Sequence, residues 1–438
     1  MNVEEDGVAG ILIKNGRLVD PRNGIDEPMD ILVSQGEVAA VGRSLYASGA
    51  EVIDARGLVV APGLVDIHCH LRFPGYEEKE DLASGSRAAA SGGFTTVVCQ
   101  PNTKPVLDSV EMIEFVREAA KKQAIVNVLP AAAITVGERG ERLTDMEALA
   151  AAGVPLFSDD GQPVGDPAVM RDALLRAGPM GRALAVHCEE RTITGPGVIL
   201  EGPVARRLGV PGIPRSAETA MVARDVVLAK ETGGRLHVDH VSNALTVDVI
   251  RFGKAWGVNL TAEVTALALA FTEETVLSRG ADAKLKPPFG SSEDRDALIR
   301  GLKDGTIDVI ATDHAPHTPY EKSRGLIDAP FGCIGLETAL SIVLTVLVAP
   351  GVMSLSDAIA KMTVNPAGVL SGVDKGHLSI GADADIVIFD PEAEWVADPE
   401  RYQSRSRNCP CRGMRLKGRV MYTIVGGKVV VREGAVQL

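Results

Sequence analysis

Basic residues are the minority charge in this chain. Lys plus Arg number 45 against 58 Asp plus Glu, a formal net charge of −13 over 438 residues. That balance favours solubility and argues against a general nucleic-acid surface, so no nucleic-acid partner is expected. Cysteine is also scarce. The six residues, at 69, 99, 188, 333, 409 and 411, show no disulfide framework. Cys409-x-Cys411 is one residue short of the usual metal-binding pair, and no second pair follows. Long apolar runs are missing. The most apolar stretch, Ala339 to Val348, is about ten residues, too short to span a bilayer. No charged segment followed by an apolar one opens the chain. A reducing, cytoplasmic setting is therefore the default expectation, without a membrane partner. What is abundant is glycine, 46 residues, with 25 prolines in a chain that is 45% hydrophobic, the profile of a turn-rich globular protein.

Residues 8 to 60 read as short strands with turn punctuation. Gly10 to Val19 carries an Asn15-Gly16 pair, a hairpin signal, and Asp30 to Gly42 repeats the pattern. After Pro62 the character changes. Apolar strand-like runs alternate with Ala/Leu/Glu/Arg-rich helical stretches, as a parallel α/β fold requires. Eight strands are expected: Leu64–His70, Phe94–Cys99, Ile125–Pro130, Val154–Asp159, Ala183–His187, Arg235–His240, Val258–Glu263 and Ile307–Asp313. The helices between them include Ser84–Ser91, Val110–Lys122, Asp145–Ala152, Ala217–Glu231, Ala244–Trp256 and Ser292–Lys303. Eight such repeats predict a (β/α)₈ TIM-like barrel. Strand patterns return at Ala384–Asp390 and Arg419–Val431, the second with a Gly-Gly turn. The expected division is residues 1–60 and 379–438 as one small β-sandwich domain, with residues 61–378 as the inserted barrel.

Barrel enzymes carry their chemistry at the C-terminal ends of the strands. The first strand ends in His68-Cys69-His70, two imidazoles on one face because strand side chains alternate. Arg72 continues that alternation. The second strand is followed by Gln100-Pro-Asn102 and the fourth by Ser158-Asp-Asp160-Gly161. The fifth ends in His187-Cys-Glu189, the sixth in Asp239-His240, and the eighth in Thr312-Asp-His-Ala-Pro-His317. Singly, each fits a satisfied buried polar group. Together they form a converging His/Asp set, the composition of a hydrolytic zinc site. His68, His70 and Asp313 suit one metal, and His187 and His240 a second. Cations about 3.5–4 Å apart need a shared anionic ligand, and strand four offers Asp159 or Asp160. Water between two such ions is expected as hydroxide near neutral pH, with Asp313 as the general base and acid.

These segments resemble the amidohydrolase superfamily. Within it, His68-x-His70-x-Arg72, Gln100-Pro-Asn102-Thr103, Phe157-Ser-Asp-Asp-Gly161, His187-Cys-Glu189, His240-Val-Ser and Ala311-Thr-Asp-His-Ala-Pro-His317 are similar to dihydroorotases of the long bacterial type. The likeness runs through nearly the whole chain. It implies zinc-dependent interconversion of N-carbamoyl-L-aspartate and dihydroorotate in pyrimidine synthesis. It also implies one or two zinc ions held by His68, His70, Asp160, His187, His240 and Asp313, with Asp160 as the bridging carboxylate. No lysine lies near the end of strand four to serve as the carboxylated lysine of many relatives. Substrate contact falls to His70, Arg72, Asn102, Lys286, His317, Phe331 and Gly332. Arg72 is suited to bidentate capture of the ring carboxylate, and Gly332 permits close backbone approach. The resemblance further implies a homodimer and, in some relatives, a complex with aspartate transcarbamoylase.

Two positions depart from the family pattern. Ala266-Leu267-Ala268 stands where relatives continue Pro-His-His, and Lys286 stands where bacterial relatives usually place Asn. Two rival readings remain. One is a dihydropyrimidinase, hydantoinase or allantoinase, enzymes that generally lack Arg72's counterpart and use a carboxylated lysine. The other is an inactive structural partner of aspartate transcarbamoylase, a role that goes with loss of the histidines kept here. The stretch from Thr318 to Gly332 is placed to close over a substrate.

Overall fold

The computed structural model describes residues 10–437. Among the described residues, five strands precede the barrel: β1 (Ile11–Asp20), β2 (Ile25–Ser34), β3 (Glu37–Gly42), β4 (Glu51–Asp54) and β5 (Val59–Pro62). Asn15-Gly16 does not turn the chain as expected. Strand β1 runs through it, with a register shift between Ile13 and Gly16 against β2. Asn15 takes the left-handed conformation (φ 64°), its N–H donates to Asp30, and its side-chain amide donates to Asp54 at 2.9 Å. Those partners favour a bulge over a hairpin. Hairpins form on either side of β2 instead: β1 turns into β2 at Pro21–Gly24, and β2 into β3 at Gln35-Gly36, both of the latter at positive φ.

The barrel strands are β6 (Leu64–Cys69), β7 (Phe94–Cys99), β8 (Asn127–Pro130), β9 (Leu156–Ser158) and β10 (Ala183–Val186). After a short parallel pair, β11 (Ile199–Leu200) and β12 (Gly212–Ile213), come β13 (Arg235–Val238), β14 (Leu260–Thr265) and β15 (Val309–Ala311). Strands β6-β7-β8 form one parallel set and β9-β10-β13-β14-β15 another. Parallel bridges Ala132–Phe157 and Cys69–His314 join the two sets at both seams, closing an eight-stranded barrel. Val65, Ile67, Val98, Leu156, Ala185 and Val309 belong to one buried apolar cluster of these strands. Each fully buried large aliphatic contributes about 1.5–3 kcal/mol.

Helices lie between the strands, and their ends carry sequence signals. Asn243 accepts from Thr246 N and caps Ala244–Ala255, and Ser109 caps Val110–Gln123. Helix Pro167–Ala177 carries a start signal of the same kind: Asp166 caps it and Pro167 occupies its first position.

The chain returns with β16 (Ile386–Val396), β17 (Arg415–Val425), β18 (Lys428–Arg432) and β19 (Ala435–Val436). Antiparallel pairing of β16 with β5 joins the two chain ends in one nine-stranded sheet, ordered β19-β18-β17-β16-β5-β1-β2-β3, with β4 beside β1. Ile13, Leu18, Ile31, Val60, Ile386 and Ile424 fill its own apolar core. All six cysteines are free and buried. Among the described residues, no helix is long and apolar enough to cross a membrane.

Candidate active site

The rim of the barrel gathers the residues singled out from sequence. His70, Arg72, Asn102, Asp160, His187, His240, Lys286, Asp313, His317, Phe331 and Gly332 line one cavity of about 370 Å³. His68 lies wholly buried beside it. Three of these residues, Arg72 (φ 58°), His240 (φ 33°) and Asp313 (φ 45°), occupy left-handed backbone. Non-glycine residues take such conformations at a cost that the surrounding structure must offset.

Asp160 is the hub. Its Oδ2 lies 3.4 Å from His68 Nε2 and 3.3 Å from His70 Nε2. Its Oδ1 lies 3.4 Å from both His187 Nδ1 and His240 Nε2. One carboxylate thus faces both imidazole pairs. Asp313 Oδ1 sits 3.2 Å from His70 Nε2 and 3.7 Å from His68 Nε2. Asp159 faces elsewhere, accepting from Ile134 N at 2.7 Å, Thr135 N at 3.0 Å and the Thr135 hydroxyl.

The tautomers follow from the partners behind the rings. His68 Nδ1 donates to Glu263 Oε1 at 2.6 Å, and His70 Nδ1 to Asn102 Oδ1 at 3.0 Å. Each Nε2 then turns a lone pair toward the carboxylate oxygens. Lone pair against carboxylate is repulsive unless a cation lies between them. His68 Nε2, His187 Nε2 and Asp160 Oδ1 are buried with no hydrogen-bond partner. The atoms of His68, His70 and Asp313, and those of His68, Asp160 and His240, each lie within 4.8 Å of one another. Nitrogen and oxygen donors so arranged fit divalent metal.

The charges packed around the rings express the same demand for positive charge. Burial pushes His68 down, but Asp160 and Glu263 outweigh it and raise the imidazole well above its ordinary value. Burial likewise opposes His187, yet Asp160 and Glu189 raise it to about 9. For Asp160, burial pushes upward, and His68, His187 and His240 together hold the carboxyl well below the usual range.

Glu263 escaped the sequence reading as a functional residue, although a lone acid inside the apolar β14 run was its signal. It is wholly buried and also accepts from His237 Nε2 (3.3 Å). Glu189 is a second addition, 3.6 Å from His187 Nε2 and 2.8 Å from Lys286 Nζ. Lys286 reaches the cavity as an ion pair, with its Nζ 4.6 Å from the Phe331 ring centroid. Ala266 and Leu267 begin the short helix Ala266–Ala270, capped by Thr265, and are buried outside the cavity.

On the other wall, Arg72 Nε donates to Pro316 O at 3.2 Å, and its guanidinium lies 3.4 Å from His317 Nε2. His317 Nε2 donates to Phe331 O at 2.8 Å. Burial, with Arg72 and Lys79 nearby, pushes His317 down to about 3, so the ring is neutral.

A closed parallel barrel with this rim and a β domain made from both chain ends defines a hydrolase acting on cyclic amides. Among solved structures, an L-hydantoinase (dihydropyrimidinase) from Arthrobacter aurescens is similar at TM-score 0.89 and 27% identity, covering 99% of this chain and 98% of that one. A D-hydantoinase follows at TM-score 0.86 and 25% identity, covering 98% and 96%. Sequence relatives are nearer. A dihydroorotase from Pelotomaculum thermopropionicum is 49% identical over 427 residues, 98% of this chain and all of the relative. A dihydroorotase from Aquifex aeolicus is 45% identical over 97% of this chain and 99% of its own. The family profile described as Dihydro-orotase-like matches residues 57–244. The chain belongs to the dihydroorotase family.

Proposed function

We propose that the protein interconverts N-carbamoyl-L-aspartate and dihydroorotate in pyrimidine synthesis, with two zinc ions at the barrel rim. His68, His70 and Asp313 would hold one ion and His187 and His240 the other, with the Asp160 carboxylate facing both sets. Bound there, the ions supply Lewis acidity to the amide carbonyl and to water. The observation that carries the substrate is Arg72. Its guanidinium stands on the same cavity as Asp313 and the histidines, with no carboxylate in salt-bridge contact among the described residues. A substrate carboxylate completes it as a bidentate pair. Asn102 and neutral His317 flank that position, and Lys286 offers a second cation. A neutral cyclic amide leaves Arg72 unmatched.

The residues divide the chemistry. In ring opening, water oxygen bonds to the amide carbonyl carbon and the C–N bond breaks. Asp313 takes the water's proton and returns it to the leaving nitrogen. Closure runs the same path backwards and releases water. Phe331 and Gly332 wall the ring side, with Gly332 at φ 139°. The division into residues 1–60, 61–378 and 379–438 belongs to the same proposal. So do a homodimer and a transcarbamoylase complex, both read by the mass of the purified protein with and without that partner. The reaction is tested by following dihydroorotate and carbamoyl aspartate beside dihydrouracil, hydantoin and allantoin. Turnover of only the neutral amides rejects the substrate assignment.

A further inference from the structure

Two short loops wall the substrate side of the cavity, Ala315–His317 and Pro330–Gly332, and they are laced together. Ala315 N donates to Cys333 O at 2.8 Å, and His317 Nε2 reaches Phe331 O. They touch so closely that a Cβ on Gly332 would lie 2.7 Å from Ala315 O. Backbone polar groups buried in such a seam need partners. Two side chains that do not line the cavity supply them.

Asn408 comes from the far end of the chain and is 2% exposed. Its Nδ2 donates to Gly332 O at 2.9 Å and Ala315 O at 3.2 Å, and its Oδ1 accepts from His317 N at 3.4 Å. Only this amide orientation puts both hydrogens on carbonyls and the oxygen on an N–H. Its own carbonyl accepts from Ile334 N at 3.0 Å. Lys322, 7% exposed, donates to Gly332 O at 2.9 Å, Pro330 O at 3.1 Å and Lys284 O at 3.3 Å. It makes no ion pair among the described residues, so its buried ammonium is satisfied by carbonyls alone. Ser406 completes the set by donating its hydroxyl to His317 O.

We propose that Asn408 and Lys322 are positioning residues of the substrate pocket, fixing the wall that carries His317, Phe331 and Gly332. The Pro330–Gly332 segment is then a fixed wall and not a closing lid. Substrate affinity, more than the chemical step, depends on it, since His68, His70, Asp160, His187 and His240 lie on or just beyond other strands and Asp313 lies outside both wall segments. The inference rests on the reading above that this wall meets substrate.

The test compares Asn408→Ala, Asn408→Asp, Lys322→Met and Lys322→Arg as full-length, zinc-loaded proteins. Steady-state kinetics on dihydroorotate, zinc content and thermal midpoint are measured on each. Asn408→Ala, Asn408→Asp and Lys322→Met are expected to raise KM about tenfold or more with kcat within about threefold and zinc content unchanged. Lys322→Arg, which keeps donors, is expected to recover part of the loss. Unchanged KM in folded Asn408→Ala and Lys322→Met overturns the proposal, as does a fall in kcat alone or one that tracks zinc loss. Should Asn408→Ala fail to fold, Ser406→Ala reads the same wall through a single contact, and the same KM rule decides. If the parent protein turns over only neutral amides, the substrate reading fails by itself. The KM comparison on that amide then decides the wall.

Discussion

Glu263 offers the sharpest perturbation of the site, because it touches the cluster only through its histidines. The Glu263→Gln change keeps the side chain's shape and removes its charge. Burial pushes this carboxyl up, but His68 and His237 hold it well below the usual range, so it is ionised at any working pH. It accepts from His68 Nδ1 at 2.6 Å, His237 Nε2 at 3.3 Å and His240 N at 3.3 Å. A hydrogen bond to a charged group contributes about 1.5–3 kcal/mol and a neutral one about 0.5–1.5, so the change weakens the hold on His68 by about 1–2 kcal/mol. Loss of such support behind a metal-ligating histidine lowers metal affinity about 10–100-fold, or about 1.4–2.7 kcal/mol. The two figures overlap. Competition between the protein and a zinc chelator measures the affinity, with circular dichroism to show the variant is folded. A folded Glu263→Gln protein that holds zinc as tightly as the parent would refute the reasoning.

Other perturbations reach other parts of the site. Arg72→Met is expected to cost carboxylate-bearing substrates about 2–5 kcal/mol of kcat/KM and to leave dihydrouracil almost unaffected; equal losses would contradict the recognition role. Asp313→Asn is expected to lower turnover by about 10²–10⁴-fold in a folded protein, and near-normal turnover would remove Asp313 as the base. Asp225, buried beside Arg224 and Cys188 and away from the cavity, tests the pH ledger. Burial outweighs Arg224 and raises its carboxyl from 3.8 to about 6. The folded state therefore holds that proton more tightly than the unfolded chain. Its contribution to stability is complete below the unfolded value and is lost as pH rises through about 6. Urea titrations should show Asp225→Asn gaining on the parent by an amount on the order of 2–3 kcal/mol between pH 4 and 7.5. A gap that does not change with pH would contradict the assignment.

The barrel was legible because its strands are apolar runs alternating with helical stretches, six of them leading into polar residues, and β7 matches its expected bounds, Phe94–Cys99. The rim histidines were legible for the same reason. The choice between Asp159 and Asp160 was not, since adjacent residues at a strand end differ only in which way they face. Contacts with Ile134 and Thr135 draw Asp159 aside, and that is a long-range fact. The lone acid in β14 marks Glu263, but its partner, like the partners of Asn408, was not legible for a related cause. Each acts on residues tens to hundreds of positions away, His68 for the one and Ala315, His317 and Gly332 for the other. Asn15-Gly16 shows the opposite failure. A strong local turn signal was overruled by Asp30 and Asp54, which anchor the pair inside a continuous strand.

The most direct measurement is ring opening and closing by the purified, zinc-loaded protein, with metal content determined on the same sample. Dihydroorotate and carbamoyl aspartate are run beside dihydrouracil, hydantoin and allantoin, before and after chelation. The expected result is turnover confined to the carboxylate-bearing pair, lost with the zinc and regained when zinc is restored. Turnover of the neutral amides, or none at all from a fully metal-loaded protein, would contradict it.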